Sequence, residues 1–155
     1  MDTAAMPATR TLLLLILLVC ASIVGAVDNP DAPDYLGEFR TRAAAYELAV
    51  AEAAGGSASA EIGAWIAFLE SELTQAQEAL SALLPVDEQS QLQRAQSRWR
   101  AHFDADKELI RTIWSRERAG SSAALSAGME RAAALQQRIE LLLRMRGAVY
   151  ADIEP

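Results

Sequence analysis

Side chains that commonly carry catalysis or bind metals are scarce in this chain of 155 residues. It contains one cysteine, Cys20, and one histidine, His102. A single cysteine cannot form an intramolecular disulfide, and one cysteine with one histidine cannot supply the ligands of a Cys/His metal site. A catalytic triad built on a cysteine nucleophile is also excluded if Cys20 lies in a removable leader, as argued below.

The short motifs typical of enzymes are absent as well. The sequence has no glycine-rich phosphate loop, no Gly-x-Ser-x-Gly elbow and no carboxylate/histidine metal motif. Asp104 and Glu108 stand one helical turn apart, but basic residues beside them favour a solvated charged face over a catalytic pair. We therefore expect that the protein is not an enzyme and needs no cofactor.

Aromatic and basic residues are also few. Aromatics make up 6% of the chain, and the formal net charge is −7. The apolar fraction is 52%, but much of it is alanine, which predicts a thin core between closely approaching helices. Nucleic-acid binding is disfavoured, because it depends on a basic surface that neutralises phosphates.

Residues 1–26 have the pattern of a secretory signal peptide. Arg10 supplies a positive charge, a run of leucines follows it, and small residues end at Ala26. We expect cleavage between Ala26 and Val27, and export to the periplasm or the exterior.

Two alternatives for this leader remain open. The apolar run from Leu12 to Val27 has 16 residues, whereas an uncleaved membrane anchor needs about 20. A lipoprotein modified at Cys20 is the second alternative, although the bulky Val19 stands where such sites have a small residue. Contact with a membrane is expected only through an uncleaved leader.

The rest of the chain is predicted to be helical. An acidic, proline-containing linker at 27–34 precedes a domain at 35–150, where apolar residues recur at intervals of three and four and strand-like alternation is missing. We expect helices over about 33–54, 59–84, 87–118 and from 121 or 122 onward. Because the connections are short, the predicted fold is all-α, an up-down antiparallel four-helix bundle preceded by an N-terminal signal helix.

Each helix carries an apolar stripe that predicts the core. The main members are Leu36, Phe39, Ala43, Tyr46, Val50 and Ala53; Ile62, Trp65, Ile66, Leu69, Leu73, Ala76, Leu80 and Leu83; Leu92, Trp99, Phe103, Ile110 and Trp114; and Leu125, Met129, Ala132, Leu135, Ile139, Leu142 and Val149. Ala95 and Ile113 lie beside the third stripe. The three tryptophans fit either a core or a binding platform, and their helical spacing favours the core.

Two polar residues, Gln96 and Asp106, share the apolar face of the third helix. A buried polar or charged side chain is unfavourable unless it is hydrogen-bonded or paired. We expect a polar tie that sets the register of neighbouring helices; a specific binding role is the alternative.

Charge is distributed unevenly along the sequence. Residues 28–88 carry a net charge of about −10, and residues 94–118 about +3. One interpretation is that helices of unlike charge pair with each other, which stabilises little when the pairs are exposed. The other is that the acidic helices attract a basic protein.

Residues of the third and fourth helices form a longer pattern: Leu92-x-x-Ala95-Gln96-x-x-Trp99-x-x-x-x-Asp104, a Gly120-Ser121 turn, then Arg138 and Leu142. This pattern resembles the signature of the LprI-type lysozyme-inhibitor family over about residues 70–142. The chain departs from it at Phe103, where the family has arginine, and lacks both family cysteines.

The resemblance implies both a structural and a functional expectation. Lys107 and Glu130 occupy the positions of the family's cysteines, so we predict an ion pair between them in place of the disulfide. The family is exported and helical, and at least one branch inhibits lysozyme. The leading expectation is therefore a protein that binds and occludes lysozyme or another basic protein of the envelope. The alternative is a structural or scaffolding helical protein of the envelope.

Overall fold

The computed structural model describes residues 33–53 and 57–153. The predicted signal peptide, its cleavage site at Ala26–Val27, and Cys20 lie outside these residues. Every element in the described part is helical, which confirms the all-α class and the four long helices. The elements are α1 (Tyr35–Glu52), α2 (Ala58–Ser81), α3 (Val86–Ile113), the short α4 (Arg116–Ala119), a 3₁₀ turn (Gly120–Ser122) and α5 (Ala123–Ile153).

The helix boundaries follow from local chemistry. Asp34 caps α1, because its Oδ1 accepts a hydrogen bond from the backbone N–H of Gly37 at 2.8 Å. Pro85 is the N-cap of α3: its ψ of 157° is not helical, and its carbonyl accepts the first hydrogen bond of the helix from the N–H of Gln89 at 2.9 Å. Gly120 adopts a φ of 59°, which allows the chain to turn between α4 and α5. None of the described helices combines the length and apolarity needed to cross a bilayer.

The core lies mainly between α1, α2 and α5. Seven of the eight apolar residues predicted for α2 are buried, and Trp65 is among them with 5% of its surface exposed. The buried cluster includes Phe39, Ala43, Ile62, Trp65, Leu69, Leu73, Ala76, Leu80, Ala132, Leu135, Ile139 and Leu142. The predicted stripes of α1, α2 and α5 thus provide the core.

Helix α5 departs from its predicted stripe at one position. Met129 is 41% exposed, and its neighbour Gly128 is buried instead. A Cβ atom on Gly128 would lie 2.6 Å from Cγ1 of Ile62. The absence of a side chain therefore allows the backbone of α5 to approach α2 closely.

Helix α3 lies at the margin of this core, contrary to the prediction that its whole apolar face is buried. Only Leu92, Gln96 and Phe103 are buried. Trp99, Ile110 and Trp114 are half-buried, while Ala95 and Ile113 are exposed. The large apolar residues of this stripe recur about once every one and a half turns, so they cover a narrow line rather than a broad face.

Ion pairs join the helices of the core but do not join α3 to them. Arg42 of α1 binds Glu72 of α2 through two hydrogen bonds of 3.0 and 2.7 Å. Arg40 of α1 reaches Glu140 of α5 at 3.1 Å. Among residues 33–53 and 57–153, the ion pairs of α3 are all internal to that helix. The predicted pairing of acidic α1 and α2 with basic α3 therefore does not occur in the described part of the chain.

Candidate interaction site on helix α3

One buried side chain, Gln96, ties three helices together. Only 7% of the surface of Gln96 is exposed to solvent. Its Nε2 donates a hydrogen bond to Oε1 of Gln77 on α2 at 3.1 Å, and its Oε1 accepts one from Nε of Arg138 on α5 at 2.6 Å. Both ends of the amide are therefore satisfied by side chains of neighbouring helices. This is the polar tie that the sequence predicts at Gln96, and it fixes how α3 lies against α2 and α5.

Aromatic and cationic groups surround this tie. The ring of Trp99 stacks on that of Phe103, with centroids 5.1 Å apart and planes inclined by 16°. The guanidinium carbons of Arg100 and Arg138 lie 5.2 and 5.6 Å from the centroid of Trp99. These distances are within the range of cation–π attraction. Half-buried Trp99 thus stacks on a second aromatic ring and lies near two guanidinium groups.

Arg138 differs from the other arginine near Trp99 in that its guanidinium is partly buried. Burial lowers its pKa from the ordinary arginine value, because desolvation disfavours the charged form. The guanidinium nevertheless stays protonated at neutral pH. Within the described residues it has no carboxylate partner; its contacts are the hydrogen bond to Gln96 and the ring of Trp99.

A polar groove lies on one side of Gln96, between α2 and α3. Its volume is about 670 Å³, and its lining residues are Gln77, Gln93, Gln96, Ser97, Arg100, Ala101 and Asp104. Amides, a hydroxyl and one charge of each sign could hydrogen-bond a polar ligand or a protein loop. Among these lining residues, no hydroxyl forms a hydrogen bond to a carboxylate.

A second, apolar groove includes Arg138, the hydrogen-bond partner of Gln96, in its lining. Its volume is about 390 Å³, and its lining residues are Leu80, Leu84, Glu88, Gln91, Leu92, Ala95, Arg138, Leu142 and Met145. Leucine and methionine side chains form most of its surface, and Arg138 is the only cation in it.

Lys107 has a different partner from the one predicted. Its Nζ lies 2.6 Å from Oδ1 of Asp104, one turn earlier on α3, and 5.4 Å from the ring centroid of Phe103. Glu130 is exposed and forms no ion pair among the described residues. The predicted Lys107–Glu130 pair is therefore not formed here. A partner three residues away on the same helix is always within reach, whereas Glu130 requires α3 and α5 to align.

The hydrogen bond from Lys107 also acts on Asp104. Together with the positive charges of Lys107 and Arg100, it lowers the pKa of Asp104 below the ordinary aspartate value. Asp106, which the sequence placed on the apolar face, keeps 43% of its side chain exposed and lies 3.4 Å from Nε2 of His102. Its carboxylate is therefore solvated and belongs to the outer surface of α3.

The residues of the sequence pattern lie at three places in the structure. Gln96, Trp99 and Arg138 meet directly, and Leu142 lines the apolar groove one turn from Arg138. Asp104 contributes to the polar groove. Gly120 and Ser121 lie apart from both, in the 3₁₀ turn that precedes α5.

Sequence reasoning missed Gln77, the third member of the tie. A signal for it was present, because Gln77 follows Leu73 by four residues and precedes Leu80 by three. That spacing places an amide on the apolar face of α2. A second amide, half-buried and facing Gln96, was therefore open to prediction.

The other aromatic candidates belong elsewhere. Trp65 is a core residue, and Tyr46 is half-buried and stacks on Phe68 at 4.4 Å. Trp114 is half-buried at the C-terminal end of α3. Only Trp99 contributes to the candidate site. Within the described residues, no group of three histidine, cysteine, aspartate or glutamate side chains is placed to hold a metal ion.

Comparison of the chain with protein-family models, with curated proteins and with solved structures finds no match.

Proposed function

We propose that this protein is an exported, non-catalytic binding domain that occludes a basic muramidase of the cell envelope. The observation that carries this proposal is the meeting of Gln96, Trp99 and Arg138. These residues belong to the pattern that resembles LprI-type lysozyme inhibitors, and Gln96 and Arg138 are 42 positions apart in the chain. Their contact in space supports treating these three positions of the pattern as one structural unit.

The surface charge of α1 and α2 supports attraction of a basic partner. Exposed acids on these helices that form no ion pair within the described residues are Glu38, Glu47, Glu52, Glu70 and Glu78. Uncompensated charges of one sign accelerate the encounter with a protein of the opposite sign. Because α3 does not neutralise them, these acids remain available to a partner.

The short connections support the proposed up-down antiparallel arrangement. Four residues, 82–85, separate α2 from α3. Connections of this length favour antiparallel neighbours in helical bundles. In this arrangement the exposed acids lie on α1 and α2, and α3 contributes residues to both grooves.

An inhibition assay tests the proposal. The full chain, expressed with its leader and purified from the compartment it reaches, is titrated into a basic lysozyme acting on cell walls at low and high salt. We expect inhibition at low salt that weakens as salt rises, because the Debye length shrinks from about 30 to about 3 Å between 0.01 and 1 M. A lack of inhibition at low salt would refute the proposal.

Charge variants sharpen this assay. Glu70→Gln with Glu78→Gln removes two exposed acids from α2, and we expect weaker inhibition at low salt but little change at high salt. Glu130→Gln with Asp152→Asn is the matched control, since both are exposed acids of α5 that form no ion pair within the described residues. Equal inhibition by both variants would mean that the acids of α2 do not guide binding.

The alternative function, a scaffolding protein of the envelope, is favoured by one observation. Leu109 and Ile113 are 57% and 46% exposed on successive turns of α3. Such neighbouring apolar side chains can support self-association. Concentration-dependent oligomers in sedimentation experiments, without inhibition of lysozyme, would favour this alternative.

A further inference from the structure

The apolar groove beside Gln96 has two chemically different ends. Arg138 lies at one end, next to Gln96, and Glu88 lies near the other. Eight positions of α3 separate Glu88 from Gln96, which corresponds to about 12 Å along a helix axis. Leu80, Leu92 and Leu142 are buried along this distance. The groove is thus an open, mostly apolar cleft whose lining carries one cation, Arg138, and one anion, Glu88, toward opposite ends.

The guanidinium of Arg138 is only partly satisfied. Its Nε donates to Gln96, while neither terminal nitrogen forms a hydrogen bond within the described residues. The group is desolvated enough for burial to lower its pKa. A partly buried guanidinium whose terminal nitrogens have no protein acceptor can be stabilised by an anion that accepts two parallel hydrogen bonds, as a carboxylate does.

The size of the groove indicates a small ligand. A volume of about 390 Å³ falls in the range of small-molecule sites, about 300–1,000 Å³. Glu88 would repel a second anionic group at the far end, which disfavours dicarboxylates. The lining therefore matches a molecule with one carboxylate and one unbranched aliphatic chain.

We propose that this groove binds a fatty acid of medium chain length. The carboxylate lies against Arg138, and the chain follows the leucines toward the end that contains Glu88. This site is separate from the acidic surface of α1 and α2, so it does not depend on inhibition of a muramidase.

Calorimetric titration of the full-length chain tests the proposal with hexanoate, octanoate, decanoate and dodecanoate below their micellar concentrations. Each methylene that enters the groove should tighten binding about fourfold, because burial of apolar surface is favourable. The gain should stop once the chain extends past the Glu88 end. Decanoate should bind more tightly than decanol, and decyltrimethylammonium should bind most weakly.

Two pairs of variants locate the site. Arg138→Gln should weaken decanoate binding roughly tenfold or more relative to its effect on decanol binding; Arg144→Gln, an exposed arginine on the same helix, should change neither. Ala95→Phe fills the groove from an exposed position and should abolish binding of both ligands. Ala101→Phe, exposed on the same helix but lining the polar groove, should not.

Several results would overturn the proposal. They are equal affinity for decanoate and decyltrimethylammonium, undiminished binding by the Ala95→Phe variant, and no binding of any acid in the series. If circular dichroism shows that Arg138→Gln is unfolded, the alanine pair and the head-group comparison decide the question. Loss of fatty-acid binding with retained lysozyme inhibition would separate this site from the proposed function.

Discussion

Helices α2 and α3 are similar in length but are held in the structure by different forces. Helix α2 has 24 residues, of which nine are buried, whereas α3 has 28 residues, of which three are buried. The buried residues of α2 are almost all apolar and face α1 and α5. By contrast, one of the three buried residues of α3 is Gln96, which forms hydrogen bonds to both neighbouring helices.

The two helices therefore have different roles: α2 contributes mainly to the stability of the fold, and the contacts of α3 determine where that helix lies. Burial of leucine and isoleucine along α2 is non-directional and contributes most of the free energy of folding. The hydrogen bonds of Gln96 contribute less net free energy, but they are directional and define one position of α3. The core should therefore survive changes that release α3, and both candidate binding grooves should depend on α3 remaining in place.

The largest effect is expected in the core, for Leu135→Ala. Leu135 has no exposed surface, and removal of a buried leucine leaves a cavity that lowers the free energy of unfolding by about 2–5 kcal/mol. Leu109→Ala is the control on α3, where the side chain is 57% exposed; we expect a change of less than about 0.5 kcal/mol. Urea denaturation measures both, and equal losses would contradict the distinction between core and margin.

The next effect concerns the close approach of α2 and α5. Gly128→Ala places a Cβ 2.6 Å from Cγ1 of Ile62, and the stiff β-branched side chain of Ile62 cannot easily rotate away. We expect a loss of about 1–3 kcal/mol in the free energy of unfolding.

Gly63→Ala provides the matched control for that variant. A Cβ at Gly63, within α2, would meet nothing within 4 Å. Alanine is the better helix former, so stability should rise by roughly 0.5–1 kcal/mol. If both substitutions stabilise the protein, the approach of α5 to α2 is looser than described.

The apolar stripe of α2 was predictable because the helix packs against both α1 and α5, and this burial requires apolar residues at regular intervals in the sequence. The burial of Gly128 in place of Met129 was not predictable in the same way. A stripe is found by looking for large apolar side chains, whereas a close helix contact requires a small one. How deeply α3 is buried was also not predictable. The spacing of Leu92, Trp99 and Phe103 shows which face of the helix is apolar, but not how closely a neighbouring helix approaches that face.

The candidate site shows the same division. The sequence singled out Gln96 as a polar tie, and the resemblance grouped it with Trp99 and Arg138. The partner of Lys107 could not be derived, since several carboxylates were within reach of its flexible side chain. The grooves were not predictable either, because each arises from side chains of separate helices that meet only after folding.

The third prediction concerns the tie itself. Gln96→Ala leaves the amide of Gln77 and the guanidinium of Arg138 without their shared partner, which should lower the free energy of unfolding by about 1–3 kcal/mol. Amide hydrogen exchange should become faster in α3 than in α2, because α3 opens locally first. Gln93→Ala, at an exposed position one turn earlier, should leave exchange unchanged. Uniformly faster exchange in every helix would show that α3 belongs to the same cooperative unit as the core.

The smallest effect is expected on the outer surface of α3, where Asp104 meets Lys107. The pKa of Asp104 is lowered chiefly by the hydrogen bond from Lys107 and less by the charge of Arg100. Because the folded-state pKa lies below the unfolded one, the pair stabilises the protein above the unfolded pKa, and this contribution is lost as pH falls through the folded value. Lys107→Gln should raise the pKa of Asp104 toward its ordinary value, and Arg100→Gln should raise it less. Carbon-13 NMR titration of the Asp104 carboxyl group measures both shifts. A larger shift in the Arg100 variant would mean that the pKa of Asp104 is set mainly by the positive charge of Arg100, and not by the hydrogen bond from Lys107.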